Sequence, residues 1–163
     1  LAADESTQSG LNGWQKTVLV VLRFALGWHF FYQGFGKLIA PYWSAEGYLK
    51  ASWGPFARIA ASPTLLAIAD YTTMWALVIL GVCLMVGLFS RLAAVGGALL
   101  LGMIYAAVPP LDYTGFVIAT SQGTELYVDK TLIEIMALLV VASFRTGHIL
   151  GLDILVDYWR TRS

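Results

Sequence analysis

Arg23, His29, Gln33 and Lys37 interrupt an otherwise almost wholly apolar stretch, residues 17–40, that is long enough to cross a lipid bilayer. This pairing of length with misplaced polarity constrains the fold more than any other feature. The last three of these residues recur every four positions, which puts them on one face of a helix. Polar groups are costly on a helix face exposed to lipid, so this face is expected to turn toward protein, water or a ligand.

Three further segments, residues 71–89, 92–108 and 126–145, can span about 30 Å of hydrocarbon at about 1.5 Å per residue. The uncharged core of the last is short, so Lys130 and Arg145 are expected to snorkel to the two interfaces. Hydrophobic residues make up 58% of the chain and charged residues only 12%, against roughly 25% charged in soluble domains. The expected fold is all-α and integral to the membrane. It is a single domain, residues 1–163, built as a four-transmembrane-helix bundle with tails at 1–13 and 147–163. The first tail is polar, lacks a signal-peptide core and is expected to be cytoplasmic. Ten basic residues balance ten acidic ones and are scattered, so a nucleic-acid partner is excluded.

The distribution of basic residues orients the bundle. With both termini in the cytoplasm, Lys16, Arg23, Arg91, Arg145, Arg160 and Arg162 lie inside, and Lys37, Lys50, Arg58 and Lys130 lie outside. Residues 41–70 then form an outer loop rich in interfacial aromatics, Trp43, Tyr48, Trp53 and Phe56. Within it, Ser62-Pro63 predicts a short interfacial helix running to about residue 69. The second outer loop, 109–125, carries Ser121-Gln122-Gly123 between short β-prone runs, and a hairpin or an irregular loop are both open there. Close helix contact in lipid needs small residues. Ala94, Ala98, Gly102 and Ala106 supply a stripe on the third segment, and Gly27, Gly34 and Gly81 supply notches on the first two.

Lys37 and Glu134 are expected at similar depth near the outer interface. An ionised Glu134 needs a partner there, Lys37 or Lys130. The pair either pins two helices together or borders a pocket for a polar head group. His29, Tyr32 and Gln33 extend that pocket inward with residue types that hydrogen-bond the two carbonyls of a quinone and exchange protons. Two readings of His29 are open: a quinone contact, or a neutral imidazole bonded to another helix. Arg23 reads as an anchor at the inner interface, and Trp28 and Trp75 as packing residues. The lone Cys83 sits in an apolar run and forms no CxxC pair. With only His29 inside the membrane, a bis-histidine haem is excluded. No metal or iron–sulfur spacing is visible, and Asp112, Glu125 and Asp129 read as solvated. Uncharged second and third segments argue against a transporter.

The segments Arg23-Phe-Ala-Leu-Gly-Trp, Gln33-Gly-Phe-Gly-Lys37 and Gly87-Leu-Phe-Ser-Arg91 resemble the DoxX family of small bacterial four-helix membrane proteins. Val128-Asp-Lys-Thr-Leu-Ile-Glu134 and Gly147-His-Ile-Leu-Gly-Leu-Asp153 are similar to its DoxD branch. The resemblance spans about residues 14–156. It implies a place in the bacterial cytoplasmic membrane beside membrane oxidoreductases. For the DoxD branch it implies the large subunit of a thiosulfate:quinone oxidoreductase, with quinone as cofactor and a second, smaller subunit as partner. Many family members carry an acidic residue in the second helix, roughly where Leu77 stands here. Two functions follow: a quinone-linked enzyme subunit with candidate catalytic residues Lys37, Glu134 and His29, or a non-catalytic accessory subunit packed against a larger membrane complex.

Overall fold

The computed structural model describes residues 11–40, 42–50, 52, 55–107, 128–144 and 151–153. The elements are α1 (Gly13–Ile39), α2 (Glu46–Lys50), α3 (Pro55–Ala60), α4 (Pro63–Val86), α5 (Ser90–Ala107) and α6 (Lys130–Ser143). Three of them, α1, α4 and α5, are long and apolar enough to cross a membrane. The fold is all-α among the described residues, and its long apolar helices match a multi-span membrane bundle. Large apolar side chains such as Trp28, Phe24, Ile79 and Leu99 remain more than half exposed on the outer faces, which suits a lipid surround.

Helix α1 packs chiefly on α4, and α5 chiefly on α6. Phe30, Leu84, Leu138 and Val141 are the largest fully buried side chains and sit where these pairs meet. The glycine notches do what their spacing predicts. A Cβ on Gly81 would lie 2.5 Å from the backbone nitrogen of Phe31, and one on Gly27 would lie 2.9 Å from the carbonyl oxygen of Gly81. The backbones of α1 and α4 therefore touch, as small residues permit.

On α5 the expected stripe is half right. Ala94 and Ala98 are buried, but a Cβ on Gly102 would meet nothing within 4 Å and Ala106 is exposed. The buried line runs instead through Ser90, Ala93, Ala94, Gly97, Ala98 and Leu101. Four-residue steps overshoot a 3.6-residue turn, so a strict i+4 series drifts off any straight contact.

The boundaries correct several expectations. No separate short helix ends near residue 69. Pro63 opens α4, which continues without a break to Val86, because nothing between them disrupts helical hydrogen bonding. The short helices between α1 and α4 are α2 and α3 instead. Helix α4 stops before residue 89 because Gly87 adopts the left-handed conformation (φ 73°) and its N–H returns to the Cys83 carbonyl. Helix α6 starts at Lys130, where the Asp129 carboxylate accepts the Leu132 N–H at 2.8 Å. Its 14 residues measure about 21 Å. The candidate hairpin of the second outer loop, Trp53, Asp112, Glu125, Arg145, His148, Arg160 and Arg162 lie outside the described residues.

Candidate functional site

The ladder on α1 forms along the flank of its buried face. Arg23, Leu26, Gly27, Phe30 and Gly34 point into the bundle, whereas His29, Gln33 and Lys37 are half-buried beside them. The ladder is a continuous series of polar contacts. Lys37 Nζ donates to Gln33 Oε1 at 3.2 Å, and Gln33 Nε2 lies 3.0 Å from His29 Nε2. His29 Nε2 in turn lies 3.0 Å from Oε1 of Glu134 on α6. Lys130, one turn before Glu134, completes the series at 3.7 Å.

Of the two cations open as partners for Glu134, Lys130 and not Lys37 is the one beside it. His29 crosses to α6, Lys130 is the cation nearest the carboxylate, and Lys37 turns outward. Its ammonium stands 5.2 Å from the ring centroid of Trp43, a cation–π arrangement. Helix direction explains the choice. Side chains lean toward the N-terminus of their own helix, so His29 meets Glu134 while Lys37 reaches back to Gln33.

A cleft of about 510 Å³ opens beside this series, lined by His29, Tyr32, Gln33, Gly36, Lys37 and Trp43. Four of the five residues expected around a head group, His29, Tyr32, Gln33 and Lys37, line it together. Glu134 stands behind it, reached through His29. Tyr32 is 69% exposed and forms the rim. Trp43, read from sequence only as an interfacial aromatic, lines the cleft and closes over Lys37. Its position six residues beyond the family-like Gln33–Lys37 segment carries no periodic signal that could have found it. Leu77, at the place of the family's acidic residue, is buried in the core against Gly34.

A second, mostly apolar cavity of about 270 Å³ lies under α2 and α3, among Trp43, Tyr48, Leu49, Phe56, Leu100, Met103 and Ile104. Trp43 is common to both. The Tyr48 hydroxyl donates to the Ile104 carbonyl, and Asp70 of α4 accepts the Ala45 N–H at 2.8 Å. These bonds hold the loop on α4 and α5. Burial and the nearby Asp129 carboxylate push the Tyr48 phenol up to about 12.

At the other end of the bundle, Arg23 is buried, 2% exposed, and is not the exposed anchor expected. A Cβ on Gly87 would lie 3.0 Å from both terminal nitrogens of its guanidinium. Asp153 acts electrostatically on it and accepts the N–H of Phe89 (2.6 Å), the N–H of Ser90 (3.2 Å) and the Ser90 hydroxyl. The Asp153 N–H donates to the Gly87 carbonyl at 3.1 Å. This returning segment clasps the α4–α5 turn.

Among the described residues, no group of three or more His, Cys, Asp or Glu side chains is placed to hold a metal ion. No curated protein and no solved structure matches the chain. A family model, DoxX, matches residues 18–110, from the ladder helix through the end of α5. With that match covering more than half of its length, the chain belongs to the DoxX family of membrane proteins.

Proposed function

We propose that this chain is a quinone-linked subunit of a membrane oxidoreductase, with its cleft as the head-group site. The observation that carries this reading is the convergence of His29, Tyr32, Gln33, Lys37 and Trp43 on one cleft, backed by Glu134. Its volume lies within the range of small-ligand sites. Its wall offers N–H donors from Lys37 and Gln33 and a phenol from Tyr32, which suits a ring bearing carbonyl oxygens. A bound quinone supplies two-electron, two-proton acceptor chemistry. The chain's own residues orient the head group, and the His29–Glu134 contact holds a mobile proton beside it.

In this reading residues 1–163 form one domain in a bacterial cytoplasmic membrane. Helix α6 is the fourth span, α2 and α3 lie at the outer interface, and both termini are cytoplasmic. Lys37, Lys50 and Arg58 then face outward, with Lys50 paired to Glu46 at 2.6 Å. The similarity of residues 128–134 and 147–153 to the DoxD branch favours thiosulfate as the substrate, with a second subunit supplying what this chain lacks. The rival reading, an accessory subunit without chemistry, is favoured by one observation: on the small-residue face of α5 a Cβ on Gly102 would meet nothing within 4 Å and Ala106 is exposed.

The test is quinone binding and turnover by the protein purified from native membranes in mild detergent. The proposal expects co-extracted quinone, and lower quinone reduction in Lys37→Ala and Glu134→Ala with the bundle still folded. Co-purification with a larger complex, no quinone, and unchanged turnover in both variants would establish the accessory role.

A further inference from the structure

The Nε2 atom of His29 has two neighbours at 3.0 Å, the Glu134 carboxylate oxygen and the Gln33 amide nitrogen. A ring nitrogen has one in-plane direction, occupied by a hydrogen or by a lone pair. With a hydrogen, it satisfies Glu134 but faces the N–H of Gln33. With a lone pair, it accepts from Gln33 but faces the carboxylate. Protonating Glu134 does not help, because two donors then compete for one lone pair. No state of the imidazole satisfies both neighbours while the Gln33 amide keeps this orientation.

Turning the amide by half a revolution aims its oxygen at an Nε2–H. The same turn swings its NH₂ against the Lys37 ammonium, which is 3.2 Å from the present Oε1 and has no lone pair to accept with. The mismatch moves along the ladder without disappearing, and it comes to rest at the wall of the cleft that Gln33 and Lys37 both line. An acceptor oxygen there takes one N–H from each. Lys37 can swing to it from its place over Trp43.

We infer that the cleft selects a head group presenting an acceptor oxygen to Gln33 and Lys37, and that its binding places the His29 proton on Nε2 against Glu134. This rests on the head-group reading of the cleft and adds a polarity to it: the carbonyl form of a quinone is preferred over its hydroxyl form. Gln33 acts as a positioning residue that transmits ligand occupancy to the imidazole. The charged groups that act on His29 are Glu134 and Lys130 on α6 and Lys37 on α1.

The test uses the full chain in lipid nanodiscs with ¹⁵N-labelled histidine, His29 being assigned with His29→Asn. A short-chain benzoquinone and its hydroquinone are titrated in, with binding followed by calorimetry and the tautomer by ring-nitrogen shifts. The benzoquinone should drive His29 to the Nε2–H form, and the hydroquinone should do so less at equal occupancy. Gln33→Leu should bind the benzoquinone about tenfold more weakly, the loss of one good hydrogen bond, with no tautomer response. Gln33→Glu, similar in size but lacking the N–H, should also give no response. Saturation without a tautomer change in the unsubstituted protein, or a response retained in either variant, overturns the inference and leaves the head-group site standing. Absence of any binding overturns both.

Discussion

The Glu134 carboxylate on α6 lies 3.0 Å from Nε2 of His29 on α1, while Lys37, one of the two cations open as its partner, is bonded to Gln33 on its own helix. Helices α1 and α6 make few other contacts compared with α1 and α4, so this one polar bond sets much of their relative placement. A double-mutant cycle on His29→Ala and Glu134→Ala should return a coupling of about 0.6–1.7 kcal/mol, typical of interhelical hydrogen bonds in membranes. The same cycle on Lys37→Ala and Glu134→Ala should return about zero. Detergent-denaturation midpoints measure both.

Gly81 sits at the tightest crossing. An added Cβ would stand 2.5 Å from one α1 backbone atom and 2.8 Å from two more, and backbone cannot give way as a flexible side chain can. Gly81→Ala should destabilise the bundle by about 1–3 kcal/mol. Gly36→Ala, where a Cβ meets nothing within 4 Å, should be neutral or slightly stabilising through helix propensity. Thermal midpoints of the two variants in one detergent give the comparison.

Asp153 gathers two backbone N–H groups and a hydroxyl at the start of α5. Asp153→Ala leaves those donors without the carboxylate and takes a negative charge from beside buried Arg23. It should cost about 1–3 kcal/mol, and Asp153→Asn should cost less because its amide oxygen still accepts. Hydrogen exchange at Phe89 and Ser90 should speed up in the alanine variant before global stability is lost.

Tyr48 provides a pH readout for the segment between α1 and α4. Its phenol is pushed from 10.0 to about 12 by burial and by Asp129. The folded state therefore holds this proton more tightly than the unfolded state does. The stabilisation is complete below pH 10 and is lost as pH rises toward about 12. Phenolate absorbance should show one tyrosine titrating late, and Tyr48→Phe should remove both that late step and this part of the alkaline instability.

Much of this architecture was legible in local sequence. The i, i+4 spacing of His29, Gln33 and Lys37 placed them on one face, and the structure makes that face a hydrogen-bonded series beside a cleft. The glycines at 27, 34 and 81 marked the α1–α4 contact, because only a missing Cβ lets two backbones meet. The segments between Arg23 and Arg91 that resemble the DoxX family fall within the matched region, 18–110, whereas the DoxD-like segments at 128–134 and 147–153 lie outside it. These features were readable because each depends on the geometry of one helix, which its own residues dictate.

Pairings between helices were not readable in this way. Whether Glu134 meets Lys37 or His29 depends on the rotation and depth of α6 against α1, and a shift of one turn moves a side chain by about 5.4 Å. The seam on α5 depends on where its drift meets Phe30 and Leu138, and the docking of the loop on α4 depends on the Asp70 carboxylate meeting the Ala45 N–H. Asp153 is the clearest case, more than sixty residues from the turn it caps. The sequence by itself determined the solvent the helices require and the face on which polarity gathers, because transfer free energy and helical period act residue by residue. Only the tertiary structure decided which polar groups touch, because that choice rests on ångström-scale packing among helices distant in the chain.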